Sequence, residues 1–273
     1  MKYASSLMFA VSIYLLVQGI GLYISNTGPE GGKGIVETVK EGQVLQPVVQ
    51  NPENPASSLT ILLYVFISTA VLLALLKYKL DLIIQIFIYV GLFGGLSLTL
   101  WGLIGDTGIL LAIPLMLTAI WKRKSLLAID LLLILSIPGI GSWLGASLAF
   151  TPALILLIGL AIYDLIAVFW TKHMVTLAEG AKGKIPLMFS IPVGERVLGL
   201  GTGDLAIPLM FSVSVLRDYS MTQAIATSLG GLLGLVALFL YILNKKDIVL
   251  PALPPITVGL IAGYAVGMLL RIP

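Results

Sequence analysis

The chain has 273 residues, of which 58% are hydrophobic and 11% are charged, and its mean hydropathy is +1.06. Soluble domains carry about 25% charged residues, so this composition cannot supply a water-facing surface and indicates an integral membrane protein. The net charge is only +3, no basic patch argues for nucleic-acid binding, and the lack of cysteine and the single histidine exclude thiolate catalysis and multi-imidazole metal sites.

Nine apolar stretches approach the roughly 20 residues that a bilayer-spanning helix needs. We therefore predict one all-α membrane domain over residues 1–273, with spans at Lys2–Ser25, Ser58–Leu76, Leu80–Trp101, Thr107–Trp121, Ser125–Ser142, Pro152–Thr171, Val197–Leu216, Thr222–Leu243 and Leu253–Leu270. The first span lacks a small-residue cleavage site, so we expect it to be retained. The run from Pro138 to Gly141 is expected to break the fifth helix.

Two polar connections interrupt the spans. Residues 26–57 form the predicted external loop, and residues 172–196 form the predicted cytoplasmic loop that separates spans one to six (1–171) from spans seven to nine (197–273). The alternation of nine spans places 12 of the 16 basic residues on one side of the membrane. Because Lys and Arg collect on the cytoplasmic side, we predict a multi-pass plasma-membrane protein with a cytoplasmic N-terminus and an external C-terminus.

Three acids fall inside the predicted spans and away from their ends, where an ionised side chain costs at least about 2–3 kcal/mol. Asp164 precedes Lys172 by eight residues, and Asp204 follows Arg196 by eight. Each therefore lies about 12 Å below the same membrane surface, on consecutive spans. The third acid, Asp130, has no flanking motif, and we interpret it as structural.

A pair of carboxyl groups suits the hydrolysis of a peptide bond. Two carboxyls at one site do not both ionise easily, so one can accept a proton from water while the protonated one polarises the substrate carbonyl. Buried carboxylates also suit a cation-coupled or proton-coupled transporter. The depth of the two acids alone does not distinguish between a protease and a transporter.

The residues around the two acids favour the protease. Asp204 follows the run Gly201-Thr202-Gly203, whose glycines permit a non-helical backbone and the close approach of a substrate. Tyr163 immediately precedes Asp164. The last span opens with Pro251-Ala252-Leu253, where a proline suits a helix start and two further prolines limit helicity.

The elements Tyr163-Asp164, Gly201-Thr202-Gly203-Asp204 and Pro251-Ala252-Leu253, in this order, resemble the GxGD intramembrane aspartyl proteases of the presenilin and signal peptide peptidase family. The stretch from Tyr163 to Gly180 is similar to the archaeal members. The resemblance implies that Asp164 and Asp204 are the catalytic pair, and that the other residues of the three elements position the substrate. It also implies substrates that are transmembrane segments or signal peptides, and no cofactor or metal.

The short connection between spans six and seven departs from presenilins, whose longer loop is cut during maturation. We therefore expect a single uncut chain in the lipid bilayer without obligatory subunits, and the sequence leaves homo-oligomer formation open. The β-prone run Ile185–Pro192 is hypothesised to pair with an unwound substrate. His173, beside the membrane surface, is interpreted as interfacial. A prepilin-type peptidase, which also uses a Gly-x-Gly-Asp motif, is disfavoured by the span count and by Pro251-Ala252-Leu253.

Overall fold

The structure is a computed structural model that describes residues 4–29, 32–42, 44–49, 51–122, 125–171, 188–193, 196–243 and 250–270. These residues are mostly helical and include one antiparallel pair of strands. In chain order the elements are α1 (Ala4–Asn26), α2 (Ile35–Glu41), α3 (Ala56–Lys77), α4 (Asp81–Ile104), α5 (Asp106–Trp121), α6 (Leu126–Ala146), α7 (Phe150–Ile166) with a π-helical turn over Ala167–Thr171, β1 (Met188–Val193), β2 (Arg196–Gly201), α8 (Gly203–Asp218), α9 (Met221–Leu243) and α10 (Leu253–Leu269).

Six helices in the described part of the chain are long and apolar enough to cross a membrane, namely α1, α3, α4, α6, α7 and α9. Helices α5 and α10 are also apolar but shorter. The chain is therefore a predominantly helical, multi-pass membrane protein, and the prediction of an all-α fold missed one strand pair. The total of nine spans, the division of the chain around residues 172–196 and the orientation of the termini stay predictions.

The seventh predicted span begins later than expected. Its helix starts at Gly203 instead of Val197, because Arg196–Gly201 pairs with β1. Hydropathy alone cannot distinguish an apolar strand from the start of a span. Two glycines in this strand weaken its helix propensity, and β1 supplies the alternative hydrogen bonds.

The expected break at Pro138 is also wrong, because α6 continues to Ala146. The neighbouring helix α4 compensates for the disturbed backbone. The N–H of Gly139 donates to Thr99 Oγ1 at 2.7 Å, and Thr99 in turn donates to the carbonyl of Gly95 at 3.0 Å. Hydroxyl groups of adjacent helices commonly satisfy backbone groups around prolines within membranes.

Helix α8 occupies the centre of the bundle, and α1, α6, α7, α9 and α10 all pack against it. Leu209 is fully buried and its side chain lies against Gly21 of α1 and Gly141 of α6. A Cβ atom at either glycine would collide with that leucine. Small residues here allow the three backbones to approach closely.

The loop 26–57 is ordered against the α6–α7 connection in the residues described. It contains α2, and Trp143 Nε1 donates to the carbonyl of Gln46 at 2.9 Å. The N–H of Ala149 donates to the carbonyl of Pro52 at 3.0 Å. The composition of the loop 26–57 had indicated only that the loop is polar and at least partly ordered.

Candidate active site

Asp164 lies in the last turn of α7 and is buried, with 4% of its surface exposed. The π-helical turn that follows begins at Ala167, whose N–H bonds the carbonyls of Asp164 and Tyr163. The Asp164 side chain points toward α10, where its Oδ2 accepts the N–H of Leu253 at 3.1 Å. The N–H of Ala252 lies near this carboxyl group as well.

The proline pattern at the start of α10 explains this contact. The first N–H groups of a helix have no partner inside the helix. Among Pro251, Ala252, Leu253, Pro254 and Pro255, only Ala252 and Leu253 carry an N–H. The N–H of Leu253 donates to Asp164, and that of Ala252 lies near the same carboxyl group. A carboxyl group at a helix N-terminus also interacts favourably with the helix dipole.

Asp204 lies in the first turn of α8 and is half-buried. Its Oδ2 accepts the N–H of Gly201, the last residue of β2, at 3.1 Å. A Cβ atom at Gly201 would lie 3.0 Å from this oxygen. The absence of a side chain at Gly201 thus allows the strand end to approach the carboxyl group.

The two carboxyl groups share one region of the bundle. Helices α7 and α8 pack against each other, and α10 packs against both. The two carboxyl groups lie close enough to interact electrostatically. The structure therefore brings together Asp164, Asp204, Gly201, Ala252 and Leu253.

Other residues of the predicted site lie beside this group without a described contact to either carboxyl. Tyr163 points to α3, where its ring packs edge-on against Phe66 with centroids 5.1 Å apart. Gly203 is exposed, and a Cβ atom there would approach only Ile207, at 4.0 Å. Thr202 precedes α8 without capping it through its side chain, and Pro251 is buried.

Asp130 lies half-buried near the start of α6, and the described hydrogen bonds of Asp164 and Asp204 do not involve it. Within the described ranges, no group of three or more His, Cys, Asp or Glu side chains could hold a metal ion. His173 and residues 185–187 of the β-prone run lie outside the described residues. Met188–Val193 does form a strand, and its partner is β2 of the same chain.

A buried polar network beside Asp204 escaped the sequence analysis, which considered only charged residues within spans. Gln18 of α1 is 2% exposed, and its Nε2 donates to the carbonyl of Leu205 at 3.4 Å. Ser228 Oγ of α9 donates to Gln18 Oε1 at 3.3 Å. An uncharged amide inside an apolar span is a signal that could have found Gln18, because polar side chains there need partners.

Comparisons with known proteins agree with the motifs. A family model described as "Signal-peptide peptidase, presenilin aspartyl protease" matches residues 35–196, more than half of the chain, including Asp164 and ending before Asp204. Two solved structures of a presenilin family intramembrane aspartate protease, in space groups C222 and P2, are each 26% identical to this chain. No curated protein matches.

The structural similarity extends over nearly the whole fold. The C222 structure has a TM-score of 0.68 and covers 97% of this chain and 99% of its own. The P2 structure has a TM-score of 0.62, with coverage of 95% and 96%. The chain therefore belongs to the signal-peptide peptidase and presenilin family, and it is an intramembrane aspartyl protease, a hydrolase of peptide bonds.

Proposed function

We propose that Asp164 and Asp204 are the catalytic pair and that they cut peptide bonds within transmembrane segments or signal peptides of other proteins. The observation that carries this proposal is the convergence of three separated motifs. The start of α10 bonds Asp164, the end of β2 bonds Asp204, and the two carboxyl groups lie close enough to interact electrostatically.

The chemistry needs one proton to be shared by the pair. The ionised carboxyl accepts a proton from water, whose oxygen attacks the peptide carbonyl carbon while the protonated carboxyl donates a hydrogen bond to the carbonyl oxygen. The C–N bond then breaks, the amine takes a proton from the pair, and the products are a carboxylic acid and an amine. Because the two carboxyls titrate as a unit, neither role is assigned to one aspartate.

Asparagine substitutions test the pair. Asp164→Asn and Asp204→Asn keep the size of the side chain and remove its ionisation, and each is expected to abolish cleavage of a purified, reconstituted single-span substrate. Asp130→Asn is the matched control and is expected to cleave at the wild-type rate. Mass spectrometry of the products measures the cut. Turnover in either dyad variant, or ion flux through sealed liposomes without proteolysis, would contradict the proposal.

We further propose that the outer edge of β2, which pairs with no other strand in the described part of the chain, receives the substrate backbone. A substrate helix must unwind, since its carbonyls are already hydrogen-bonded, and a strand can then pair with it. The Ser6 hydroxyl donates to the carbonyl of Pro192, so this carbonyl points away from β2 and toward α1. In the antiparallel register Pro192 faces Val197. The alternation of strands then directs the N–H and C=O of Val197 and Gly199 outward from the sheet.

The outer edge of β2 leads directly to Asp204. Gly201 belongs to the same alternating set, and its outward N–H bonds the Asp204 carboxyl. The outer edge of β1 is less suitable, because Pro192 has no N–H and its carbonyl already accepts a hydrogen bond. A substrate strand on β2 would therefore reach the dyad without crossing another element of the sheet.

A pair of proline substitutions tests this edge. Val197→Pro removes an outward N–H, whereas Leu198→Pro removes an N–H that points at Ile191 of β1. We expect Val197→Pro to raise KM with the fold intact, and Leu198→Pro to disturb the hairpin as well. Phe189→Pro is a poorer probe because Phe189 is fully buried and faces Leu200. Wild-type cleavage by Val197→Pro would argue against pairing at this edge.

The remaining proposals concern the protein as a whole. We propose nine spans, an N-terminus in the cytoplasm, the plasma membrane as location, and an uncut chain that works without obligatory subunits. The orientation is supported by the basic residues, 12 of 16 on one side under this topology. Cleavage by the purified single chain in liposomes tests the subunit proposal, and a requirement for added cell extract would refute it.

A further inference from the structure

The start of α8 lacks one of its own helical restraints. Pro208 lies four residues after Asp204 inside α8. Proline has no N–H, so the carbonyl of Asp204 has no donor at the usual position one turn later. Asp204 therefore sits in a first turn that the helix itself holds less firmly than usual.

Helix α1 supplies a restraint at this turn. Gln18 is 2% exposed, and its Nε2 donates to the carbonyl of Leu205, the residue after Asp204. A carbonyl can only accept, so the amide nitrogen must face Leu205 and the amide oxygen must face away. That oxygen accepts the hydroxyl of Ser228, which fixes the amide in one orientation.

The contact is part of a continuous face of α1. Tyr14, Gln18 and Gly21 follow each other at helical spacing on one side of this helix. The Tyr14 hydroxyl donates to the carbonyl of Ser228 at 3.0 Å, and the backbone at Gly21 lies against the side chain of Leu209. The same face of α1 therefore forms hydrogen bonds with α9 and contacts the first two turns of α8.

We propose that Gln18 is a positioning residue for Asp204: its amide, oriented by Ser228, holds the proline-weakened first turn of α8 so that the Asp204 carboxyl faces Asp164. The inference rests on the proposed catalytic role of Asp204. A misplacement of about 1 Å at a reacting group costs on the order of 100-fold in rate, so a partial drift of this turn predicts a loss of about tenfold.

Gln223 of α9 provides a matched control. It is also 2% exposed, and its Nε2 donates to the carbonyl of Tyr264 of α10 at 2.7 Å. Tyr264 stacks on Phe150 with centroids 4.5 Å apart, at the end of α7 opposite Asp164. Asp164 follows Phe150 by 14 positions along α7, which separates the control from the dyad by about 20 Å.

The experiment compares Gln18→Met with Gln223→Met, because methionine keeps the length of the side chain and removes the amide. We measure kcat and KM on a reconstituted single-span substrate, thermal stability, and binding of a peptidomimetic whose hydroxyl mimics the tetrahedral intermediate. Gln18→Met is expected to lower kcat by about tenfold with KM within about twofold, and to weaken the peptidomimetic in proportion. Gln223→Met is expected to change kcat by less than about twofold at a similar loss of stability.

Ser228→Ala is the gentler variant and applies even where Gln18→Met fails to fold. It leaves the amide in place but removes the hydroxyl that orients it, and the expected loss of kcat is about threefold. A wild-type kcat in folded Gln18→Met overturns the inference. If Gln18→Met does not fold, a wild-type kcat in Ser228→Ala overturns it instead. A loss of kcat in Gln223→Met equal to that in Gln18→Met also overturns it. If Asp204→Asn is inactive and Gln18→Met has the wild-type kcat, the inference about Gln18 is overturned and the proposed dyad stands. If Asp204→Asn is active, both the proposed dyad and the inference are overturned.

Discussion

Replacing Gly201 with alanine should affect catalysis differently from replacing Gly203 with alanine. At Gly201 the new Cβ would lie 3.0 Å from Asp204 Oδ2, and ordinary contact begins at 3.4 Å, so the carboxyl must retreat by about 0.4 Å. At Gly203 the nearest atom would be Ile207 Cδ1 at 4.0 Å, which leaves room for a methyl group. The first change therefore acts on the carboxyl group, and the second acts only on space that is open in the free enzyme.

The magnitude follows from the displacement. If about 1 Å of misplacement costs about 100-fold, a 0.4 Å retreat costs about sixfold in kcat. Gly203→Ala adds a good helix former at the first position of α8, which favours the helix by up to about 1 kcal/mol. We expect it to leave kcat unchanged and to raise KM if a substrate backbone approaches this open surface.

Steady-state cleavage of a purified, reconstituted single-span substrate by both variants separates these effects. The expected result is a lower kcat for Gly201→Ala and a higher KM for Gly203→Ala, with both proteins folded by thermal unfolding. Wild-type kcat in Gly201→Ala would refute the argument that the missing side chain sets the position of the Asp204 carboxyl. Equal losses of kcat in the two variants would also refute it.

Two further predictions concern packing and orientation. Gly230→Ala should lower the melting temperature and the rate of cleavage, because the new Cβ would collide with the Gly259 carbonyl and separate α9 from α10. Overpacking of this kind lowers the free energy of unfolding by about 1–3 kcal/mol. Gly91→Ala, with nothing within 4 Å, is the control, and equal melting temperatures would contradict this account. Because the chain has no cysteine, Lys33→Cys and Lys77→Cys report orientation without background. An impermeant maleimide should label the former in intact cells and the latter only after permeabilisation, and the reverse pattern would invert the proposed topology.

The family could be predicted from the sequence because its signals are local. Each motif lies within a few consecutive residues, and hydropathy is summed over a single window, so neither depends on how the helices assemble. The equal depth of Asp164 and Asp204 was also predicted by counting residues to the nearest basic side chains, although for Asp204 the count assumed a helix where Arg196–Gly201 forms a strand. That count indicated matching levels in the membrane, and it could not indicate which side chains face each other.

The errors in the helix boundaries share one physical cause. Residues 197–201 read as the start of a span, but they form a strand because Met188–Val193 lies beside them. Pro138 reads as a helix end, but α6 continues because Thr99 of α4 accepts the N–H of Gly139. In both cases the decisive partner lies on a different segment, where no local pattern can register it.

The sequence by itself determined that this chain belongs in lipid and which motifs it carries, because these properties belong to single segments. Only the tertiary structure decided that the N–H of Leu253 bonds Asp164, that Gly201 bonds Asp204, and that Gln18 reaches Leu205. Most of these contacts join helices that are far apart in the chain. Their formation depends on the packing of glycine-lined helix surfaces and on backbone groups that prolines leave free, which together bring separate segments to one site.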